Sequence, residues 1–64
     1  MGIFGTTRGD VMRAAREYEA VRLNCDDESA AAMFNLFMKI GECPAYGPDT
    51  SIDDVMEELW ASRD

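Results

Sequence analysis

Histidine is absent from this 64-residue sequence, and lysine occurs only once, at Lys39. Without histidine, the chain alone cannot form a Ser–His–Asp triad, a Cys–His pair or a histidine metal site. It also lacks a glycine-rich phosphate loop and any apolar run of about 18 residues, which a membrane-spanning helix requires. We therefore expect no enzymatic activity, no cofactor, no metal site and no membrane association.

Basic residues are few, and they are distributed unevenly around a formal net charge of −7. Residues 1–25 carry four arginines and three acids, a net charge of +1. Residues 26–64 carry two basic and ten acidic side chains, a net charge of −8. A surface that follows nucleic-acid phosphates needs several clustered cations. The acidic segment therefore argues against direct nucleic-acid binding, and it suits either solubility or a protein partner with a basic surface.

The apolar residues recur at the three- and four-residue spacing of amphipathic helices. This pattern predicts three helices, over residues 10–24, 27–40 and 51–62. Joined by short connections, they are expected to form an all-α, compact three-helix bundle, one small domain over residues 1–64. A flexible lead-in, residues 1–9, precedes Asp10 as the predicted cap of the first helix. A Pro/Gly loop is predicted at residues 41–50.

The second predicted helix is apolar around more than half of its circumference, with only Asn35 and Lys39 on its polar side. Asp26 or Asp27 can cap its start, and Gly41 is predicted to end it in a left-handed conformation. A helix this apolar must be covered by two neighbours, or by one neighbour and a partner chain.

The two cysteines, Cys25 and Cys43, lie on opposite sides of that helix. A helix of this length separates its ends by about 20 Å, whereas the Cα atoms of a disulfide lie within about 7 Å. Their spacing also matches no zinc motif. We expect free thiols in a reducing cytoplasm, with Cys25 partly buried on the first helix.

The third predicted helix begins at a capping-box pattern, Ser51-x-x-Asp54. One face is apolar and is formed by Ile52, Val55, Met56, Leu59 and Trp60. The opposite face is acidic and is formed by Asp53, Asp54, Glu57 and Glu58. Carboxylates at this spacing could also hold a hard cation such as calcium or magnesium.

This amphipathic pattern is typical of a helix that binds in a partner's groove, with Trp60 as the anchor. The predicted partner-binding residues are Asp53, Asp54, Met56, Glu57, Glu58, Leu59 and Trp60. The alternative interpretation is that the same apolar face closes the protein's own bundle.

Three hypotheses about function remain open from the sequence. In the first, a small acidic helical protein acts by protein–protein binding, as an adaptor, inhibitor or accessory subunit, through its last helix and exposed apolar surface. In the second, its acids mimic a nucleic acid and block a basic nucleic-acid-binding site, by analogy with antagonists from mobile elements. In the third, the chain is a homo-oligomeric structural bundle without an outside partner.

Overall fold

The structure is a computed structural model that describes residues 5–47 and 49–62. It contains three α-helices, α1 (Arg8–Val21), α2 (Asp27–Glu42) and α3 (Ile52–Ala61), and a short 3-10 helix (Arg22–Asn24) between α1 and α2. The described residues contain no strand. The predicted all-α three-helix bundle is therefore confirmed.

The start of α1 differs from the sequence prediction. Thr7 is the N-cap: its side chain accepts a hydrogen bond from the Asp10 N–H, and the Asp10 carboxylate accepts one from the Thr7 N–H. The prediction that Asp10 itself caps the helix is wrong, because this reciprocal pair satisfies two free N–H groups and lets the helix begin at Arg8. The predicted lead-in, residues 1–9, is therefore too long, because its last two residues belong to α1. Its residues 1–4 lie outside the described residues.

The other two helices begin with the same kind of pair. Asp26 caps α2 and exchanges hydrogen bonds with Ser29, as one of the two predicted caps. Ser51 caps α3 and exchanges hydrogen bonds with Asp54, so the predicted capping box is confirmed. Each first turn therefore has side-chain partners for N–H groups that no helical carbonyl can reach.

The end of α2 corrects a second prediction. Gly41 lies inside the helix without a positive φ, and α2 continues to Glu42. Cys43 follows in an extended conformation (φ −95°, ψ 115°), and its N–H donates to the Ile40 carbonyl. Because Pro44 disfavours helical geometry at the residue before it, the helix ends here without a left-handed glycine.

The core lies where the three helices meet. Its buried residues are Val11, Ala14, Ala15, Leu36, Ile40, Cys43, Val55, Met56 and Leu59. Tyr46, from the loop before α3, packs against this cluster. Serine is also buried at position 29, where it is held by the cap of α2.

The cysteines are both free thiols, as predicted, but Cys25 does not lie in the expected place. It is exposed, because α1 ends at Val21 and the 3-10 helix turns the chain before Cys25 is reached. Cys25 has a left-handed φ of 52°, whereas Cys43 is the thiol buried in the core.

Among the described helices, none is both long enough and apolar enough to pass through a membrane.

Candidate functional site

The apolar face of α3, which the sequence offered as a partner-binding surface, is largely inside the molecule. Met56 and Leu59 are buried in the core beside Val55. These two side chains therefore close the protein's own bundle, which is the alternative interpretation of the sequence pattern. Their periodicity could not distinguish the two cases, because a helix that meets its own core and a helix that meets a partner have the same pattern.

The acidic face of α3 is divided between exposed and internally bound carboxylates. Asp53, Asp54 and Glu57 are exposed, although Asp54 also serves the cap of its helix. Glu58 is partly buried: it forms an ion pair with Arg8 and accepts a hydrogen bond of 2.9 Å from the Tyr46 hydroxyl. In the described part of the chain, no three carboxylate or thiol residues come together as a group that could hold a metal ion.

Arg8, Tyr46 and Glu58 form a small polar cluster that joins three segments of the fold. The Arg8 guanidinium also lies 5.5 Å from the centre of the Tyr46 ring. Glu58 was predicted as a partner-binding residue, and the structure instead gives it partners from α1 and from the loop before α3. No local sequence pattern could show this, because Arg8 and Glu58 are far apart in the chain.

Trp60 lies at the edge of the bundle, 40 % exposed. Its indole N–H donates to Glu19 Oε2 at 2.6 Å, and the Arg22 guanidinium lies 5.4 Å from the ring centre. Both contacts connect the end of α3 to the end of α1. Trp60 thus retains an accessible ring edge, but its polar atom is already used within the chain.

The most extensive exposed apolar area lies on α2, on the side away from the core. Phe34 and Phe37 are 64 % and 60 % exposed, and Met33 and Met38 are 43 % and 46 % exposed. With the small residues on the same side, they form one continuous face, here named the α2 apolar surface: Ala30, Met33, Phe34, Phe37, Met38 and Gly41.

None of the six residues of the α2 apolar surface is charged. At 3.6 residues per turn they fall within about 140° of the helix circumference, a sector that contains Asp27 in the first turn and leaves Asn35 and Lys39 outside. A groove of ≈ 340 Å³ continues the surface past Gly41 toward the loop, where Glu42, Gly47 and Thr50 line it. No other described element covers Phe34 or Phe37, which explains their exposure.

The sequence already indicated that α2 needs a second neighbour, but the predicted binding residues were all placed on α3. The signal that would have found the α2 apolar surface was the width of the apolar sector, which exceeds what one core contact can cover. Leu36 and Ile40 occupy the core side of the helix, and the phenylalanines remain on the other.

Comparison with known proteins adds no relative from which a role could be transferred. No protein-family model, no curated protein and no solved structure matches this chain.

Proposed function

We propose that this protein acts by protein–protein binding and that the α2 apolar surface is its binding surface. The observation that carries the proposal is the exposure of Phe34 and Phe37, about three-fifths of each, on one uncharged helix face. Contiguous exposed apolar patches of this kind mark interaction sites on small proteins, because leaving them in water is unfavourable.

The chemistry of the surface suits an interface centre. Aromatic residues and methionine are enriched in interface cores, and charged residues are depleted there. Phe34 and Phe37 supply large, stiff apolar area, while Met33 and Met38 supply flexible side chains that adapt to a partner's shape. The proposal therefore transfers the main contact from α3 to α2, while the exposed α3 residues Asp53, Asp54, Glu57 and Trp60 stay predicted partner contacts.

Site-specific photo-cross-linking tests this proposal without assuming which protein binds. A photoreactive phenylalanine analogue replaces Phe37 in the full chain, expressed in the cells that naturally make it. The matched control carries the analogue at Leu23, which is 83 % exposed but lies in the 3-10 helix before α2. We expect an adduct of higher mass from position 37, and little from position 23.

The substitution Phe34→Ser, combined with the analogue at position 37, should remove that adduct while leaving the helical circular dichroism spectrum unchanged. Equal adducts from positions 37 and 23 would mean that cross-linking reports accessibility alone, and the proposal would then fail. It would fail equally if position 37 gave no adduct.

A second candidate function is nucleic-acid mimicry, favoured by the exposure of Asp53, Asp54 and Glu57 on the acidic side of α3. In that case binding to a basic protein should weaken strongly between about 50 and 200 mM salt, because screening reduces attraction between exposed charges. The double variant Asp53→Asn, Glu57→Gln should then lose binding, whereas Phe34→Ser should keep it. The opposite pattern supports the α2 apolar surface.

A further inference from the structure

We infer that the α2 apolar surface binds a second copy of this chain, with the two α2 helices side by side and antiparallel. This inference rests on the proposed function, because it names the partner of the same surface. It is carried by the order of residues along α2, by the glycine at position 41, by the area of the surface and by its lack of charge.

The α2 apolar surface has a two-fold symmetric sequence. Counted outward from the point between Asn35 and Leu36, its members pair as Phe34 with Phe37, Met33 with Met38, and Ala30 with Gly41. In a two-fold symmetric dimer the same patch is used by both copies, so each contact occurs twice with the residues exchanged. A patch whose residue sizes are symmetric about its midpoint fulfils that requirement when the helices run in opposite directions.

In such an antiparallel pair, Phe34 of one copy lies opposite Phe37 of the other. Ala30 lies opposite Gly41, so a small residue meets a small residue at each end of the contact. The four positions are spaced by four, three and four residues, as in the contact line of paired helices. The large rings at the centre set the distance between the two backbones, and the small residues leave both ends of the contact free of steric conflict.

Gly41 serves no evident purpose within the single chain. It lies in α2 without a positive φ, where glycine is a poorer helix former than alanine. A Cβ added at this position would meet no side chain and no other segment of the described residues within 4 Å. The position is therefore open to solvent, and the lack of a side chain leaves room there for the second α2 helix.

The area of the surface fits a small, reversible interface. With large apolar side chains presenting on the order of 200 Å² each, the exposed fractions of the two phenylalanines and two methionines amount to about 430 Å² per copy. A dimer would cover about twice this area, plus the small residues, which is below the usual range of stable interfaces and in the range of transient ones. We therefore expect a dimer that dissociates on dilution.

The charge of the protein sets the direction of its salt dependence. Each copy carries a formal net charge of −7, so two copies repel at long range, whereas the contact surface itself is uncharged. Added salt screens this repulsion and leaves apolar contacts intact. Self-association should therefore tighten between about 50 and 200 mM salt, the opposite of the response expected of an acidic mimic.

Sedimentation equilibrium of the purified full chain, from about 1 µM to 1 mM, tests the inference. The weight-average mass should rise from that of the 7.1 kDa monomer toward twice that value. Phe37→Ser should abolish the rise, because it removes one ring from each of the two central Phe34–Phe37 pairs, and its helical spectrum should stay unchanged. Leu23→Ser, which alters an exposed leucine outside the surface, should dimerise like the wild type. A constant mass at all concentrations, or a Phe37→Ser variant that dimerises normally, would overturn the inference.

Disulfide trapping tests the antiparallel orientation. Asp27→Cys and Glu42→Cys lie at opposite ends of α2, and each is placed in a Cys25→Ser background to remove the native exposed thiol. A mixture of the two should cross-link between unlike variants faster than either variant cross-links with itself. Faster cross-linking between like variants would indicate parallel helices and would overturn the arrangement proposed here.

The second copy and the proposed binding surface can be excluded separately. If the purified chain stays monomeric while position 37 still forms an adduct with a different protein, the second copy is excluded and the proposed function remains. If position 37 forms no adduct and the chain stays monomeric, both are excluded.

Discussion

Leu36 and Phe37 are neighbours in α2, yet Leu36 is fully buried while three-fifths of the larger Phe37 is in water. One step along a helix turns the side chain by about 100°, which is enough to pass from the core to the opposite face. At the scale of the residue, therefore, burial and not size decides which side chain supports the fold and which is free to bind a partner.

This contrast predicts opposite results for two alanine substitutions. Leu36→Ala should lower the free energy of unfolding by about 3 kcal/mol, because it removes buried methyl groups and leaves a cavity. Phe37→Ala should lower it by less than about 1 kcal/mol in dilute solution, since most of the ring is already exposed. Urea denaturation followed by circular dichroism at about 1 µM protein gives both values. A larger loss for Phe37→Ala would show that this ring is part of the folded core.

The helices, at the next scale, share one starting device. Thr7 with Asp10, Asp26 with Ser29, and Ser51 with Asp54 exchange hydrogen bonds across the first turn. The carboxylate belongs to the third helical residue in α1 and α3 and to the cap in α2. In each case an acidic group lies near the positive end of the helix dipole, an arrangement that stabilises the helix.

The cap of α1 predicts an acid-sensitive contribution to stability. The Thr7 backbone N–H, which donates to the Asp10 carboxylate, holds the pKa of Asp10 below its ordinary value, and the Thr7 hydroxyl acts in the same direction. A carboxyl whose pKa is lower in the folded state stabilises the fold above its unfolded pKa, about 4. That contribution is lost as the pH falls through the lower, folded-state pKa.

Asp10→Asn should therefore lower stability at pH 7 and reduce the loss of stability between about pH 4 and pH 2. Urea denaturation across this pH range measures both effects. Glu57→Gln serves as the control, because Glu57 is an exposed acid in α3 that takes no part in a cap. If the two variants have the same pH profile, the cap of α1 is not the source of the acid sensitivity.

At the scale of the whole molecule, contacts between the elements stabilise the fold, whereas the small size of the core limits its stability. Side chains from separate elements hold the bundle together, as in the ion pair of Arg8 with Glu58 and the hydrogen bond of Trp60 with Glu19. A chain of 64 residues nevertheless has a small core, and small domains are only marginally stable alone. Covering the α2 apolar surface with a second copy would add stability that rises with the logarithm of protein concentration once this exceeds the dissociation constant.

The melting temperature should accordingly rise with concentration. We expect an increase on the order of 5 °C between about 1 µM and 1 mM for the wild type, because self-association stabilises the folded state by mass action. Phe37→Ser, which removes one ring from each central pair, should melt at one temperature throughout this range. Calorimetry at the two concentrations makes the comparison, and a wild-type melting temperature that does not change would argue against the dimer.

The sequence by itself determined the number of helices and the cap of α3, limited the cap of α2 to Asp26 or Asp27, and predicted that α2 needs a second neighbour. These features are local: they depend on hydrogen bonds across one helical turn and on apolar periodicity within one segment. The two predictions that were wrong also concern local choices. Thr7 caps α1 in place of Asp10, and Pro44 ends α2 without a left-handed Gly41.

The tertiary structure alone decided which apolar face became core and which stayed exposed. Met56 and Leu59 on α3 and Phe34 and Phe37 on α2 all belong to periodic apolar faces, but only the first pair is buried. Packing decides this, because each face can be covered only if another helix lies against it. The pairing of Glu58 with Arg8 has the same origin: it depends on how α1 and α3 lie against each other, which no single helix specifies.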